Sequence, residues 1–138
     1  MTNFTKKLTR GVVAGALAAV SIAVATPAAS AAGRDGVCND NEFCLYHFSA
    51  FAGSISDFTG NVSNYGDSQP TCYEFKKPNA AGYLQCVKNN AASACNTFDR
   101  DIRVYFNSGY GGSYDTVPAN TCRNLVNTYY ENASHKFI

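Results

Sequence analysis

The chain has 138 residues, 46% apolar and 15% charged, with a formal net charge of +1. Its first ten positions hold three of the basic residues (Lys6, Lys7 and Arg10), so the remainder is mildly acidic, with eight basic against ten acidic residues. Scattered charge of that sign leaves no basic stripe to follow a phosphate backbone, which argues against a nucleic-acid partner.

Residues 1–31 read as an export signal. Lys6, Lys7 and Arg10 form the basic start, Gly11 to Ala25 is small and apolar, and Ala29-Ser30-Ala31 is an A-x-A cleavage site. The apolar run is short for a membrane span. The expectation is a secreted, extracellular chain with no membrane association after cleavage. Residues 32–138 suffice for one small domain with a single core. Cys38, Cys44, Cys72, Cys86, Cys95 and Cys122 all fall there. An even count in an exported small domain reads as three disulfides, with 15 connectivities open. No C-x-x-C pair argues for a metal cluster instead.

In chain order, Gly33 to Asn41 is a polar lead-in, expected to be mobile up to Cys38. Cys38 and Cys44, with five residues between them, most simply close a small loop onto a first strand, Glu42 to His47. Ser54 to Phe58 alternates as its partner. Gly60 to Pro70, rich in Gly, Asn, Ser and Asp, reads as loop. Thr71 to Phe75 is a short third strand, and Tyr83 to Lys88 reads equally as strand or turn. Asn89-Asn90-Ala91-Ala92-Ser93 is a polar turn opening into Ala94 to Asn96. Strands at Arg103 to Asn107 and Ser113 to Val117 follow, then Asn124 to Thr128 and a last strand ending at Phe137-Ile138. The expected core is Leu45, Phe51, Phe58, Val104, Phe106, Tyr110 and Leu125.

The chain repeats itself. Tyr105, Tyr110 and Gly112 have the spacing of Tyr46, Phe51 and Gly53. Such self-similarity marks a repeated supersecondary unit. In each copy a strand runs into a turn whose glycine takes φ > 0, and two aromatics stack across it. The serine closing each unit lies 47 residues after Tyr46 (Ser93) but 29 after Tyr105 (Ser134). The first copy therefore carries 18 extra residues, placed between Asn61 and Gly82.

Two units of this kind resemble the βγ-crystallin Greek key. Cys38-x5-Cys44-Leu45-Tyr46, Phe51-x-Gly53, Asn89-Asn90-x-x-Ser93, Val104-Tyr105, Tyr110-Gly111-Gly112 and Asn132-Ala133-Ser134 together resemble the secreted actinobacterial peptidase inhibitor family of the Streptomyces metalloproteinase inhibitor type. The resemblance implies an all-β, disulfide-stapled β-sandwich of two Greek keys, at about 38–98 and 99–138. It also implies a monomeric, non-enzymatic inhibitor of an extracellular, thermolysin-like metalloprotease. A βγ-crystallin-type protein binding cell wall, carbohydrate or calcium, or a killer-toxin-like protein, is the alternative. Two departures bear on calcium: Ala94 stands where a second serine is common, and Tyr130-Glu131-Asn132-Ala133-Ser134 lacks the paired Asn/Asp.

No catalytic constellation is visible: two histidines, His47 and His135, have neither a free thiol nor a G-x-S-x-G serine beside them. Asn89, Asn90 and Ser93 are calcium candidates that offer neutral oxygens only, so any site there would be weak. No other cofactor is expected. An inhibitor needs a rigid protruding loop rather than catalytic groups. The enlarged first unit supplies one, with Phe75, Tyr83, Leu84, Cys86 and Val87 as candidate contact residues.

Overall fold

Two folded hairpins organise the molecule, whose computed structural model describes residues 33–138. The export signal expected at 1–31 lies outside the described residues. β1 (Phe43–Tyr46) pairs antiparallel with β2 (Ile55–Phe58), and β4 (Ile102–Asn107) with β5 (Gly111–Val117). At each tip an aromatic residue takes a left-handed backbone, Phe51 at φ 61° and Tyr110 at φ 62°. Its ring meets the strand aromatic edge-on, Tyr46–Phe51 at 6.0 Å and Tyr105–Tyr110 at 5.9 Å. Gly53 and Gly112 follow at φ 81° and 76°, where only glycine is unstrained.

The remaining strands are β3 (Ser93–Asn96), β6 (Thr121–Asn124) and β7 (Ser134–Phe137). They form a four-stranded sheet ordered β2-β1-β3-β6 and a three-stranded sheet ordered β5-β4-β7. The third strand of each unit crosses to the other sheet. β6 pairs with β3, and in the first unit this strand shrinks to one bridge, Val62 to His135 on β7. The chain is all-β, without helices among the described residues. We propose the unit boundary between Asn96 and Ile102.

The core between the sheets contains Phe43, Leu45, Phe58, Val104, Val117 and Leu125. The 62–87 segment adds Val62, Tyr65, Phe75 and Val87, so the enlarged part of the first unit is largely interior. Two expected core residues face outward: Phe51 is 43% and Phe106 40% exposed. The left-handed backbone turns Phe51 away from the sandwich. A register shift between Tyr105 and Asn107 breaks the alternation that would have buried Phe106. Tyr110 is half-buried, over the outside of the sheet.

Other expectations change as well. Thr71 to Phe75 is not a strand; only Glu74 bridges Cys86. The sixth strand lies at Thr121–Asn124 rather than Asn124 to Thr128, because buried Asp115 caps the following turn. Its carboxylate accepts from Val126 N, Thr128 N and the Thr128 hydroxyl at 2.7–3.1 Å. The lead-in is anchored, not mobile: Asp35 N and Gly36 N donate to the Asp57 carboxylate at 2.9 and 2.8 Å. Arg34 donates to the Ser56 hydroxyl, Asp57 O and Glu74 O, and stacks 4.6 Å from the Phe58 ring centre. Cys38 pairs with Cys44 as expected, Cys72 with Cys86, and Cys95 with Cys122.

His135 is buried between Phe43 and Phe58, both rings 4.8 Å away. Gly60 O, 2.8 Å from Nε2, can only accept, so the ring proton sits on Nε2. Nδ1 then accepts from the buried Tyr65 hydroxyl at 2.8 Å. Burial lowers the imidazole pKa to about 4. Below the ordinary value near 6.5 the unfolded chain takes up a proton that the folded chain refuses. This stabilisation is complete above about pH 6.5 and is lost as pH falls toward 4, a change of about 3 kcal/mol. Urea titrations from pH 7 to pH 4 should show that decline, reduced in His135→Gln; an unchanged decline in that variant would assign it to carboxylates instead.

Candidate functional site

The turn between Lys76 and Cys86 is a constrained surface feature of the first unit. Pro78 breaks the extended run, and Asn79, Gly82 and Leu84 all adopt positive φ, at 55°, 88° and 65°. Asparagine and glycine tolerate that region, whereas leucine is held there by its surroundings. Leu84 N donates to Phe75 O at 2.9 Å and Phe75 N to Gln85 O at 3.0 Å, closing the loop on itself. Ser54 N donates to Ala81 O at 2.8 Å, tying it to the first hairpin, and Gln69 Nε2 donates to Leu84 O at 2.9 Å. A Cβ on Gly82 would lie 2.5 Å from the His47 ring, so the turn sits flush on that imidazole. The Cys72–Cys86 disulfide closes its base.

The structure divides the five candidate contact residues. Tyr83 and Leu84 project into solvent at 43% and 49% exposure. Phe75 and Val87 do not: both are fully buried in the main core and cannot reach a protease from there. Their bulky apolar side chains resemble contact residues in sequence, but the short loop leaves them no other place to be desolvated. Cys86 is half-buried and engaged in its disulfide. Sequence reasoning missed Arg34, which grips Glu74 O at 2.7 Å and so holds the segment entering the turn; no local pattern signals a contact across 40 residues.

Of the three calcium candidates, Ser93 has its hydroxyl engaged in structure. The Ser93 hydroxyl donates to Phe48 O at 2.6 Å and accepts from Phe51 N at 3.1 Å. Ser134 repeats the arrangement, donating to Asn107 O at 2.6 Å and accepting from Tyr110 N at 3.2 Å. Asn90 Nδ2 donates to Cys86 O and Lys88 O at 2.8 and 3.2 Å. Asn89 is exposed at φ 59° and shares a cleft with Lys88, Asn107, Ser108, Tyr130 and Glu131. One carboxylate beside a lysine ammonium is a poor match for calcium, which takes six to eight oxygens with carboxylate charge among them. Among the described residues no group of three His, Cys, Asp or Glu could hold a metal ion. Every cysteine is paired, so no thiol nucleophile exists.

Two sheets that exchange their third strands, with a left-handed aromatic and a hydroxyl staple in each hairpin, define a βγ-crystallin-like double Greek key. Solved structures agree. One, from work on the evolution of the eye-lens βγ-crystallin domain fold, has 14% identity and a TM-score of 0.53, covering 75% of this chain and 93% of the other. The N-terminal domain of protein S has 18% identity and a TM-score of 0.51, covering 70% and 94%. At such identities the likeness establishes the fold. No match is found among curated proteins. The chain belongs to peptidase inhibitor family I36, whose model matches residues 31–117. It is a non-enzymatic peptidase inhibitor with a protease as its partner.

A calcium titration followed by thermal unfolding tests the metal reading. A ligand at a hundred times its dissociation constant adds about 2.7 kcal/mol, equivalent to roughly ten degrees in a domain of this size. Millimolar calcium should move the midpoint by far less. A ten-degree rise that disappears in Asn90→Ala would make Asn89, Asn90 and Ser93 a genuine site.

Proposed function

We propose that the chain is secreted and inhibits extracellular proteases, thermolysin-like metalloproteases first, by placing the Tyr83–Leu84 turn in the cleft. The observation that carries this reading is the turn itself: two adjacent apolar side chains stand exposed on a backbone fixed by hydrogen bonds, a disulfide and the His47 contact. Preorganisation matters because ordering a flexible loop on binding would subtract from affinity. A bulky apolar pair suits a pocket that accepts large hydrophobic side chains, and its exposure before binding means that docking releases water from both partners. Export is supported by the residue 1–31 pattern and by three disulfides, which persist in oxidising compartments. The protein contributes shape and rigidity, and no bond-making chemistry of its own.

Purified protein titrated against thermolysin, subtilisin and trypsin in chelator-free buffer should inhibit thermolysin stoichiometrically. Leu84→Asp and Tyr83→Ala should each weaken inhibition by about 30-fold, the loss of one interface hot spot near 2 kcal/mol. Both sites are exposed, so their thermal midpoints should stay close to the parent's. Thermolysin inhibition unchanged in both variants would move the contact surface elsewhere, and inhibition of subtilisin or trypsin alone would change the target class.

A further inference from the structure

The two sheets share one lattice of positions, and a disulfide-bonded lead-in packs on the outer face of only one of them. In the four-stranded sheet Tyr46 faces Ile55 on β2 and Ser93 on β3, while Cys44 faces Asp57 and Cys95. In the three-stranded sheet Tyr105 faces Tyr114 and Ser134, while Arg103 faces Thr116 and Lys136. Cys44, Tyr46, Ile55 and Cys95 form a second buried cluster, covered by the lead-in and Cys38. On the corresponding face of the other sheet Tyr105 is buried, Tyr114 is exposed, and half-buried Arg103 and Lys136 stand in place of the two cysteines.

Placing like charges directly opposite on neighbouring strands is unfavourable. Nothing among the described residues relieves it: neither cation has an ion-pair partner, and the Arg103 guanidinium makes no hydrogen bond, its Nε being buried without one. The cations lie instead on aromatic rings. The Arg103 guanidinium carbon is 4.2 Å from the Tyr114 ring centre, and Lys136 Nζ is 5.0 Å from Tyr110 and 5.9 Å from Tyr105. Tyr105 lies 5.9 Å from both Tyr110 and Tyr114, so the three rings form an arc with a cation at each end.

We propose that this face, built from Arg103, Tyr105, Tyr110, Tyr114 and Lys136, binds an acidic polysaccharide of the uronate-bearing type. The cations supply two unpaired positive charges for carboxylates. The exposed Tyr114 and half-buried Tyr110 supply flat rings for the apolar faces of the sugars. A peptide adding as an extra strand is disfavoured. The β5 carbonyls of Tyr114 and Thr116 already accept from Asn127 Nδ2 and Arg123 Nη1 at 2.9 and 2.8 Å, and the far side of β7 is engaged by Val62. Such a surface would hold the inhibitor on an acidic matrix while leaving its protease turn free.

The test is a direct binding titration of the full chain with polygalacturonate, neutral dextran and polyglutamate. Polygalacturonate should bind, more weakly as salt shortens the screening length, and dextran should not. The double variant Arg103→Gln/Lys136→Gln and the single variant Tyr114→Ala should each weaken polygalacturonate binding by roughly tenfold or more. The double variant removes a repulsion together with the cation–ring contacts, so its thermal midpoint should stay close to the parent's, separating lost binding from lost folding. Three results would overturn the proposal: no binding of polygalacturonate, binding unchanged in the double variant, or polyglutamate binding equally tightly with no effect of Tyr114→Ala. The last would mark the face as a site for acidic polypeptide.

Discussion

A single serine hydroxyl in each unit holds the hairpin on which the rest of the domain is built. Folding a strand pair back over itself puts Phe51 and Tyr110 in a left-handed backbone that bulky residues disfavour. Ser93 and Ser134 offset that cost by satisfying two backbone groups of the tip at once, a carbonyl at 2.6 Å and the N–H of the left-handed aromatic itself. Both serines are fully buried, where the bonds are shielded from water and an unpaired group would cost about 1–3 kcal/mol. Each serine also opens a strand, β3 or β7, that sits beside the first strand of its own unit. Hairpin tip and sheet register are therefore fixed by one side chain.

This coupling explains what was legible in the sequence. The aromatic and glycine spacing and the closing serine are local requirements of the folded hairpin, so they recur and can be read. The pairing of Cys38 with Cys44 was legible for the same reason. Features that depend on distant partners were not. Arg34 works through Ser56, Asp57 and Glu74, and Tyr65 meets His135 across 70 residues. In the site, Tyr83, Leu84, Phe75 and Val87 look alike as apolar residues in a cysteine-bracketed loop. Only the tertiary packing decides that two face the core and two face solvent. Phe51 and Phe106 failed in the opposite sense, because alternation predicts burial only where the backbone is regular.

The enlarged part of the first unit has two duties that a free loop could not combine. Tyr65, Phe75 and Val87 extend the core where the first unit's crossing strand has shrunk to the Val62 bridge. The same segment then turns outward between Asn79 and Gln85. Because its base is core and its crest is surface, the crest inherits the rigidity of the interior. The 14-residue span from Cys72 to Cys86 adds about 3 kcal/mol by restricting the unfolded chain. Arg34 contributes from the other side, linking the lead-in, the edge strand β2 and the segment entering the turn.

The disulfides also account for the asymmetry between the sheets. Cys38–Cys44 folds the lead-in onto the outer face of the four-stranded sheet, and Cys95–Cys122 staples β3 to β6 on that face. Both bonds fall where the second unit carries Arg103 and Lys136. One sheet is thus covered and cross-linked, and it bears the lead-in and the turn between Lys76 and Cys86 along the β2 side. The other keeps its outer tyrosines in place by packing and hydroxyl staples alone, which leaves Tyr114 exposed and Tyr110, Arg103 and Lys136 half-buried. A duplicated fold has become two unlike surfaces, one closed by covalent bonds and one that carries two half-buried cations without ion-pair partners among the described residues.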